Sequence, residues 1–241
     1  MRERADRLLV ERGFFESRAR AQDAIATGLV RADGMPVRKS SEMIARGAEI
    51  EAAAPHPYVS RGGMKLAAAL DHFSLDPAGL TCLDLGASTG GFTEVLLNRG
   101  ARRVYAVDVG HGQLHPRLAM DPRVVSLENK DARSLTGSDI PEAIDLLVAD
   151  VSFISLRLVL PHAIAFLAPH ASMAMLVKPQ FEAGPARVRK GIVRDAAVHR
   201  TVCELMAHFV DGLGFKVLGL APSPIEGGDG NREFLLSARR D

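Results

Sequence analysis

An α/β fold built on a doubly wound parallel sheet, with a small α+β module ahead of it, is the class that three features predict. A strand-like run, Cys82-Leu83-Asp84-Leu85, feeds a glycine-rich turn, Gly86-Ala87-Ser88-Thr89-Gly90-Gly91, and a helical pattern opens at Phe92-Thr93. Strand-like and helical runs then alternate toward the C-terminus. A segment with two prolines, Ala52-Ala53-Ala54-Pro55-His56-Pro57, reads as a linker that divides residues 1–57 from 58–241.

Composition bounds the rest. With 241 residues and 47% hydrophobic content, the chain can bury one large core and a smaller one. A formal charge of +1 lends no general support to a nucleic-acid partner, so any basic surface must be local. Cys82 and Cys203 stand far apart in core-like segments, which points away from a metal site or disulfide framework and toward a reducing, cytoplasmic setting. Met1–Asp6 has no signal-peptide pattern, and no apolar run approaches the ~18 residues of a membrane span.

In the first module, Leu8-Leu9-Val10 lie in a short helix that Gly13 can end. Ser17 is the expected N-cap of a second helix that turns Ala21, Ala24 and Ile25 inward and stops at Gly28. Asp33-Gly34 marks a turn between two short strands, and Ala48-Glu49-Ile50-Glu51 reads as a closing strand. The pattern Arg4-x-Asp6, Ser17-Arg18-x-x-Ala21, Gly28-x-Val30-x-x-x-Gly34 resembles the S4-type RNA-binding domain. That resemblance implies that the second helix and the following turn meet RNA, with Arg4, Arg18, Arg20, Arg31, Arg38 and Lys39 as phosphate contacts. Asp23, Asp33 and several glutamates dilute the positive field, so the affinity of the module alone is expected to be modest and salt-sensitive.

The larger part opens with Ser60-Arg61-Gly62-Gly63 and a helix carrying Lys65, Leu66, Ala69 and Leu70. Strands are expected at Thr81–Leu85, Val104–Asp108, Val124–Leu127, Ile144–Ala149, Met173–Val177 and Phe215–Leu220, with a last one beginning at Glu233. Helices are expected after Gly91, over Leu156–Leu167, and from an N-cap at Asp195 to about Leu213. Residues 184–191, Gly-Pro-Ala-Arg-Val-Arg-Lys-Gly, read as a mobile basic loop, and Pro222–Asn231 as a second loop. The final strand follows its predecessor without a helix between them, so it is expected to be antiparallel.

Ligands of such sheets sit beyond the carboxyl ends of the parallel strands. Read as G-x-G-x-x-G from Gly86, the third position is Ser88, a poor match to a dinucleotide fingerprint, where a pyrophosphate needs bare backbone. Asp84 suits a ligand that bears an ammonium group. The turn resembles the first motif of S-adenosylmethionine (SAM) methyltransferases, which implies cofactor contacts from Asp84, Gly86, Ala87, Ser88, Thr89, Gly90, Gly91 and Phe92. Asp108 follows Asp84 by 24 residues, near the ~20-residue offset of a ribose-binding acid, and Asp131 lies where it can approach the adenine. Lys65, Asp150, Lys178 and Glu233 converge on the same edge, and charges that end apolar strands suggest function because burying them unpaired is costly.

The ordered set Ser60-Arg61-Gly62-Gly63-x-Lys65-Leu66, Asp84-x-Gly86-Ala87-Ser88-Thr89-Gly90-Gly91-Phe92-Thr93, Asp150-Val151-Ser152-Phe153-Ile154-Ser155-Leu156, Val177-Lys178-Pro179-Gln180-Phe181-Glu182 and Gly230-Asn231-x-Glu233-Phe234 resembles the TlyA family, also labelled haemolysin A. The resemblance spans nearly the whole chain. It implies an S4-type domain followed by an FtsJ-like, Rossmann-like SAM-methyltransferase domain, and SAM-dependent 2′-O-methylation of a ribose, in cytidine of 16S or 23S ribosomal RNA or both, within ribosomal subunits. A ribose hydroxyl is a poor nucleophile, so the protein must orient it and remove its proton. The resemblance makes Lys178 the base or its closest helper, with Asp150 orienting it and Glu233 positioning Lys65 or the nucleotide. No metal is implied. Competing readings are a nicotinamide-dependent oxidoreductase, opposed by Ser88 and the Lys-Asp-Lys-Glu set, a non-enzymatic RNA-binding or assembly factor, opposed by the intact set, and a pore-forming haemolysin, opposed by the missing membrane segments.

Overall fold

The computed structural model describes residues 1–227 and 230–240; Gly228 and Asp229 of the loop expected over Pro222–Asn231, and the terminal Asp241, lie outside the described residues. The chain forms two compact units, Met1–Pro57 and Tyr58–Asp241.

In the first unit, β1 (Arg2–Arg4) leads directly into α1 (Ala5–Glu11), followed by α2 (Arg18–Ala26), β2 (Val30–Ala32), β3 (Met35–Pro36), β4 (Met43–Ala45) and β5 (Ile50–Ala52). Ser17 caps α2 by accepting from the Arg20 amide. Asp33 and Gly34, at φ 51° and 73°, make the tight turn between β2 and β3. The strands form an antiparallel β1–β4 pair and a β3-β2-β5 sheet. Leu8, Leu9, Ala21, Ala24, Ile25 and Val30 fill the small core. Two strands, β1 and β4, were not expected, and the closing strand starts at Ile50 rather than Ala48. Strands this short carry no readable alternation, and their pairing is set by contacts distant in sequence.

In the second unit, α3 (Gly62–His72) precedes β6 (Thr81–Leu85), α4 (Gly91–Asn98), β7 (Arg103–Val107), α5 (Pro116–Ala119), β8 (Val124–Leu127) and β9 (Ile144–Ala149). Then come α6 (Leu156–Ala163), β10 (Leu167–Val177), α7 (Pro179–Glu182), α8 (Ala196–Gly212), β11 (Lys216–Pro222) and β12 (Phe234–Arg239). The seven-stranded order is β11-β12-β10-β9-β6-β7-β8. Pairs β10–β9, β9–β6, β6–β7 and β7–β8 are parallel, while β12 runs antiparallel to both β10 and β11, as expected for the last strand.

Alternate residues of each central strand enter different cores. Leu83, Leu85, Leu147 and Ala149 pack with Leu160 of α6 and Met206 of α8. Cys82, Leu146 and Val148 pack on the opposite face with Leu66 of α3 and Leu96 of α4. Two covered faces explain why these strands read as apolar runs instead of alternating ones. β10 begins six residues before the expected Met173, because its first half is partly exposed and lacks an apolar signature.

Candidate active site

The turn after β6 is shaped by close approach. Gly86 has φ 81°, and a Cβ there would stand 2.8 Å from the backbone oxygen of Asp150 at the end of β9. Gly90 has φ 97° and caps α4, where a Cβ would collide with Leu118 and Leu114. Glycine at both positions therefore brings β6, β9 and the start of α4 together.

Asp84 lies beneath this turn and not at its surface. Its side chain is 0% exposed, its Oδ2 accepts from Thr93 Oγ1 at 2.7 Å, and its Oδ1 has no hydrogen-bond partner among the described residues. Burial foremost, aided by the Asp150 and Asp108 charges and opposed by the Thr93 bonds, pushes its pKa up to about 7. Even-numbered residues of β6 face α4, so Asp84 packs under the helix.

A cavity of about 530 Å³ lies over the strand ends. Gly86, Ser88, Asp108, Asp131 and Asp150 border it, together with apolar groups such as Val107 and Ile154. Asp108 holds the turn, accepting from the Ser88 amide at 2.8 Å and the Gly110 amide at 2.7 Å. Asp131 caps the turn at Ala132–Ser134 and is paired with Arg133 at 2.6 Å, which lowers its pKa to about 2. Thr89, Gly90, Gly91 and Phe92 do not border this cavity; they form the start of α4 and its packing. Ala87 is buried in the turn.

The four expected charged residues form two pairs. Lys178 Nζ lies 2.6 Å from Asp150 Oδ1, and Lys65 Nζ lies 2.5 Å from Glu233 Oε2. Lys65, Lys178 and Glu233 are buried, so each cation has its carboxylate where solvent screening is weak. Strand ends deliver Asp150, Lys178 and Glu233, and α3 delivers Lys65 across the edge.

Three neighbours of this set were not singled out from the sequence. Ser152 Oγ accepts from Lys178 Nζ at 2.8 Å, giving the amine a second partner. Glu182 of α7 accepts from Ser155 Oγ at 2.6 Å and the Leu156 amide at 2.7 Å, which ties the loop after Asp150 to the segment after Lys178. Phe153 is 92% exposed, adopts φ 65°, and leans on Phe181 at 5.4 Å between ring centres. An exposed aromatic in left-handed backbone is unusual and is the structural signal for this position.

In the first unit, Asp6 gathers two of the expected RNA contacts. It accepts from Arg4 at 3.0 and 3.1 Å, from Arg18 at 2.7 Å and from Gln22 at 2.8 Å. These bonds, that to Arg4 foremost, hold its carboxyl well below the usual range. Arg20 donates to the His56 carbonyl at 3.4 Å, and Arg31 to the Gly34 carbonyl at 3.0 Å. Arg38 and Lys39 are exposed on the following loop.

Comparison with known proteins places this geometry. The family model described as FtsJ-like methyltransferase matches residues 58–240, and the S4 domain model matches residues 3–50. The chain is 44% identical over 241 residues, 99% of its length and 90% of the relative's, to the "16S/23S rRNA (cytidine-2'-O)-methyltransferase TlyA" of Mycobacterium tuberculosis. It is 39% identical over 234 residues, 96% of its length and 98% of the relative's, to "Hemolysin A" of Brachyspira hyodysenteriae. A solved chain described as "Putative hemolysin from Streptococcus thermophilus" superposes with a TM-score of 0.80 at 42% identity, covering 99% of this chain and 88% of that one. Among the described residues no helix is long and apolar enough to cross a membrane. The family match over the whole second unit, with full-length identity to TlyA, makes this chain a TlyA-type member of the FtsJ-like methyltransferase family that carries an S4 domain at its N-terminal end.

Proposed function

We propose that this methyltransferase uses SAM to methylate a ribose 2′-hydroxyl of ribosomal RNA, in a cytidine of 16S or 23S RNA or both, and that it works on ribosomal subunits in the cytoplasm. The observation that carries the reading is the Lys178–Asp150 pair, in which Lys178 is buried and Asp150 borders the cavity beside the Gly86 turn. The cavity has the size of a nucleoside-bearing ligand, bare backbone at Gly86 and carboxylates at Asp108 and Asp131, so the residues present fit SAM. Gly86 and Ser88 would border it, Asp108 would take the ribose hydroxyls, and Val107 and Ile154 would cover the adenine. SAM, when bound, supplies an electrophilic methyl group.

The remaining work falls to the protein. Lys178 acts in its neutral form, its ammonium having first passed a proton to solvent: the amine meets the substrate hydroxyl and takes its proton as the oxygen attacks; Asp150 and Ser152 fix the amine, and Asp150 balances the ammonium that results. Lys65, held by Glu233, orients the ribose from the other side. Phe153 offers a face on which the target base can stack. Arg20, Arg31, Arg38 and Lys39 of the S4 domain, with the exposed edges of Arg4 and Arg18, bind phosphates and bring the subunit to the site.

The test is transfer of labelled methyl from SAM to isolated ribosomal subunits, followed by mapping of the modified nucleotide. A 2′-O-methylated cytidine supports the reading. Label on a base, or none on either subunit, overturns it.

A further inference from the structure

The segment from Gly184 to Arg194 carries four cations, Arg187, Arg189, Lys190 and Arg194, and no acid. In a chain of net charge +1 this is a strong local excess. All four are exposed, and none makes an ion pair with another described residue. By contrast, Arg4, Arg18, Arg46, Arg99, Arg117 and Arg133 each have a carboxylate partner.

The segment is also shaped. Within this basic loop Pro185–Arg187 forms a helical turn, and Arg189 and Ile192 exchange two backbone hydrogen bonds of 3.0 Å. Lys190 and Gly191, at φ 50° and 77°, form the tip of that hairpin. Buried side chains hold its base. Asn231 donates to the Gly191 carbonyl at 2.9 Å and accepts from the Val193 amide at 3.2 Å, and His199 Nε2 lies 2.9 Å from the Val193 carbonyl. Asn231 stands two residues before Glu233, and the segment follows Lys178 through α7. On its inner side Val188 shares a cleft with Phe153 and Gln180. The turn is therefore fixed at both ends to the edge that bears the two Lys–carboxylate pairs.

We propose that Arg187, Arg189 and Lys190 form a second RNA-contact surface, on the methyltransferase domain itself, that grips phosphates flanking the target nucleotide. A polyanion is the partner whose chemistry fits unpaired cations on a hairpin tip, and RNA is the polyanion this site would receive. The inference rests on the reading of the site as an RNA methyltransferase. Asn231 acts as a positioning residue that presents the turn.

The test compares the full-length protein with the Arg187→Ala/Arg189→Ala/Lys190→Ala variant and, separately, with Asn231→Ala. SAM binding, KM for ribosomal subunits, kcat, and the salt dependence of subunit binding are measured. The triple variant is expected to bind SAM normally and keep kcat, while KM for subunits rises roughly tenfold or more and the slope of log affinity against log salt falls by about 2. Asn231→Ala is expected to raise KM in the same direction. Unchanged KM and salt slope in the triple variant overturn the inference while leaving the methylation reading intact; a parent protein that methylates neither subunit overturns both. Binding to anionic phospholipid vesicles that depends on the three cations, with subunit KM unaffected, would assign the surface to a membrane and also overturn it.

Discussion

Lys178 and Asp150 meet at 2.6 Å because two adjacent parallel strands deliver them. Met175 of β10 is in register with Ala149 of β9, so Asp150 leaves the sheet one residue later and Lys178 three. A backbone ladder thus sets the separation of the amine and the carboxylate. Glu182 and Ser152 then fix the two loops that follow.

Glu182→Ala should loosen this arrangement. It leaves the Ser155 hydroxyl and the Leu156 amide without their acceptor, and takes the nearest carboxylate from Arg157. A loss of about 2 kcal/mol in stability is expected, with methylation reduced more than SAM affinity. Denaturant unfolding and parallel SAM titration check both parts. An unchanged turnover would show that the loop after Asp150 holds its shape without this anchor.

Asp84 gives the protein a pH-dependent stability of unusual sign. Its folded pKa is raised from 3.8 to about 7. Below about pH 4 both states hold the proton; between about pH 4 and 7 the unfolded chain loses it while the folded one keeps it. This residue therefore makes stability fall as pH rises through that window, by on the order of a few kcal/mol, and contributes no further change above it. Asp84→Asn should remove that component of the slope. Unfolding by denaturant across the window, in the parent and the variant, gives the comparison; identical pH profiles would refute the raised pKa.

Asp6 should behave in the opposite way. Its carboxyl is held low by Arg4, Arg18 and Gln22, so its contribution is present above the unfolded carboxylate range and is lost as pH falls through the folded value. Asp6→Ala removes the shared acceptor of three side chains and should destabilise α1 and α2 by about 2–4 kcal/mol. Hydrogen exchange should quicken within residues 5–26, with residues 58–241 unaffected. Uniform exchange in parent and variant would show that the hub is dispensable.

Much of this fold was legible because its central strands are buried on both faces. Thr81–Leu85 and Ile144–Ala149 read as apolar runs bounded by turn residues, and those are the observed bounds; the half-buried edge strand Val124–Leu127 also keeps its expected bounds. The caps Ser17 and Asp195 were equally readable, since a short polar side chain before an apolar period has few other uses. What failed to show in the sequence depends on distant partners. β1 and β4 pair across some forty residues, and Arg4 and Arg18 turn toward one aspartate. Asp84 could be read as a strand-end acid, but its direction under α4 follows from β6 lying between two helical layers. Phe153 sits in a run with no periodicity, so only its exposure and backbone distinguish it.

The division of labour between the two parts is open to a direct check. Val59 is buried, and its amide donates to Glu94 at 2.5 Å, so the second unit should be cut before Tyr58. Residues 58–241 alone are expected to bind SAM and to methylate subunits poorly, with KM for subunits raised at least tenfold and the salt dependence of binding reduced. Full activity of this fragment would remove the S4 domain from subunit recognition.

The central claim is that the Lys178 amine takes part in proton removal at the methyl acceptor. Lys178→Arg keeps a cation but not one that readily gives up its proton, and Lys178→Ala removes both. Single-turnover methylation at saturating SAM and subunits isolates the chemical step from binding. Both variants should bind SAM nearly as the parent does and lose ~10²–10⁴-fold in rate. An Arg variant that retains most of the parent's rate would contradict the account and leave Lys178 a purely electrostatic residue.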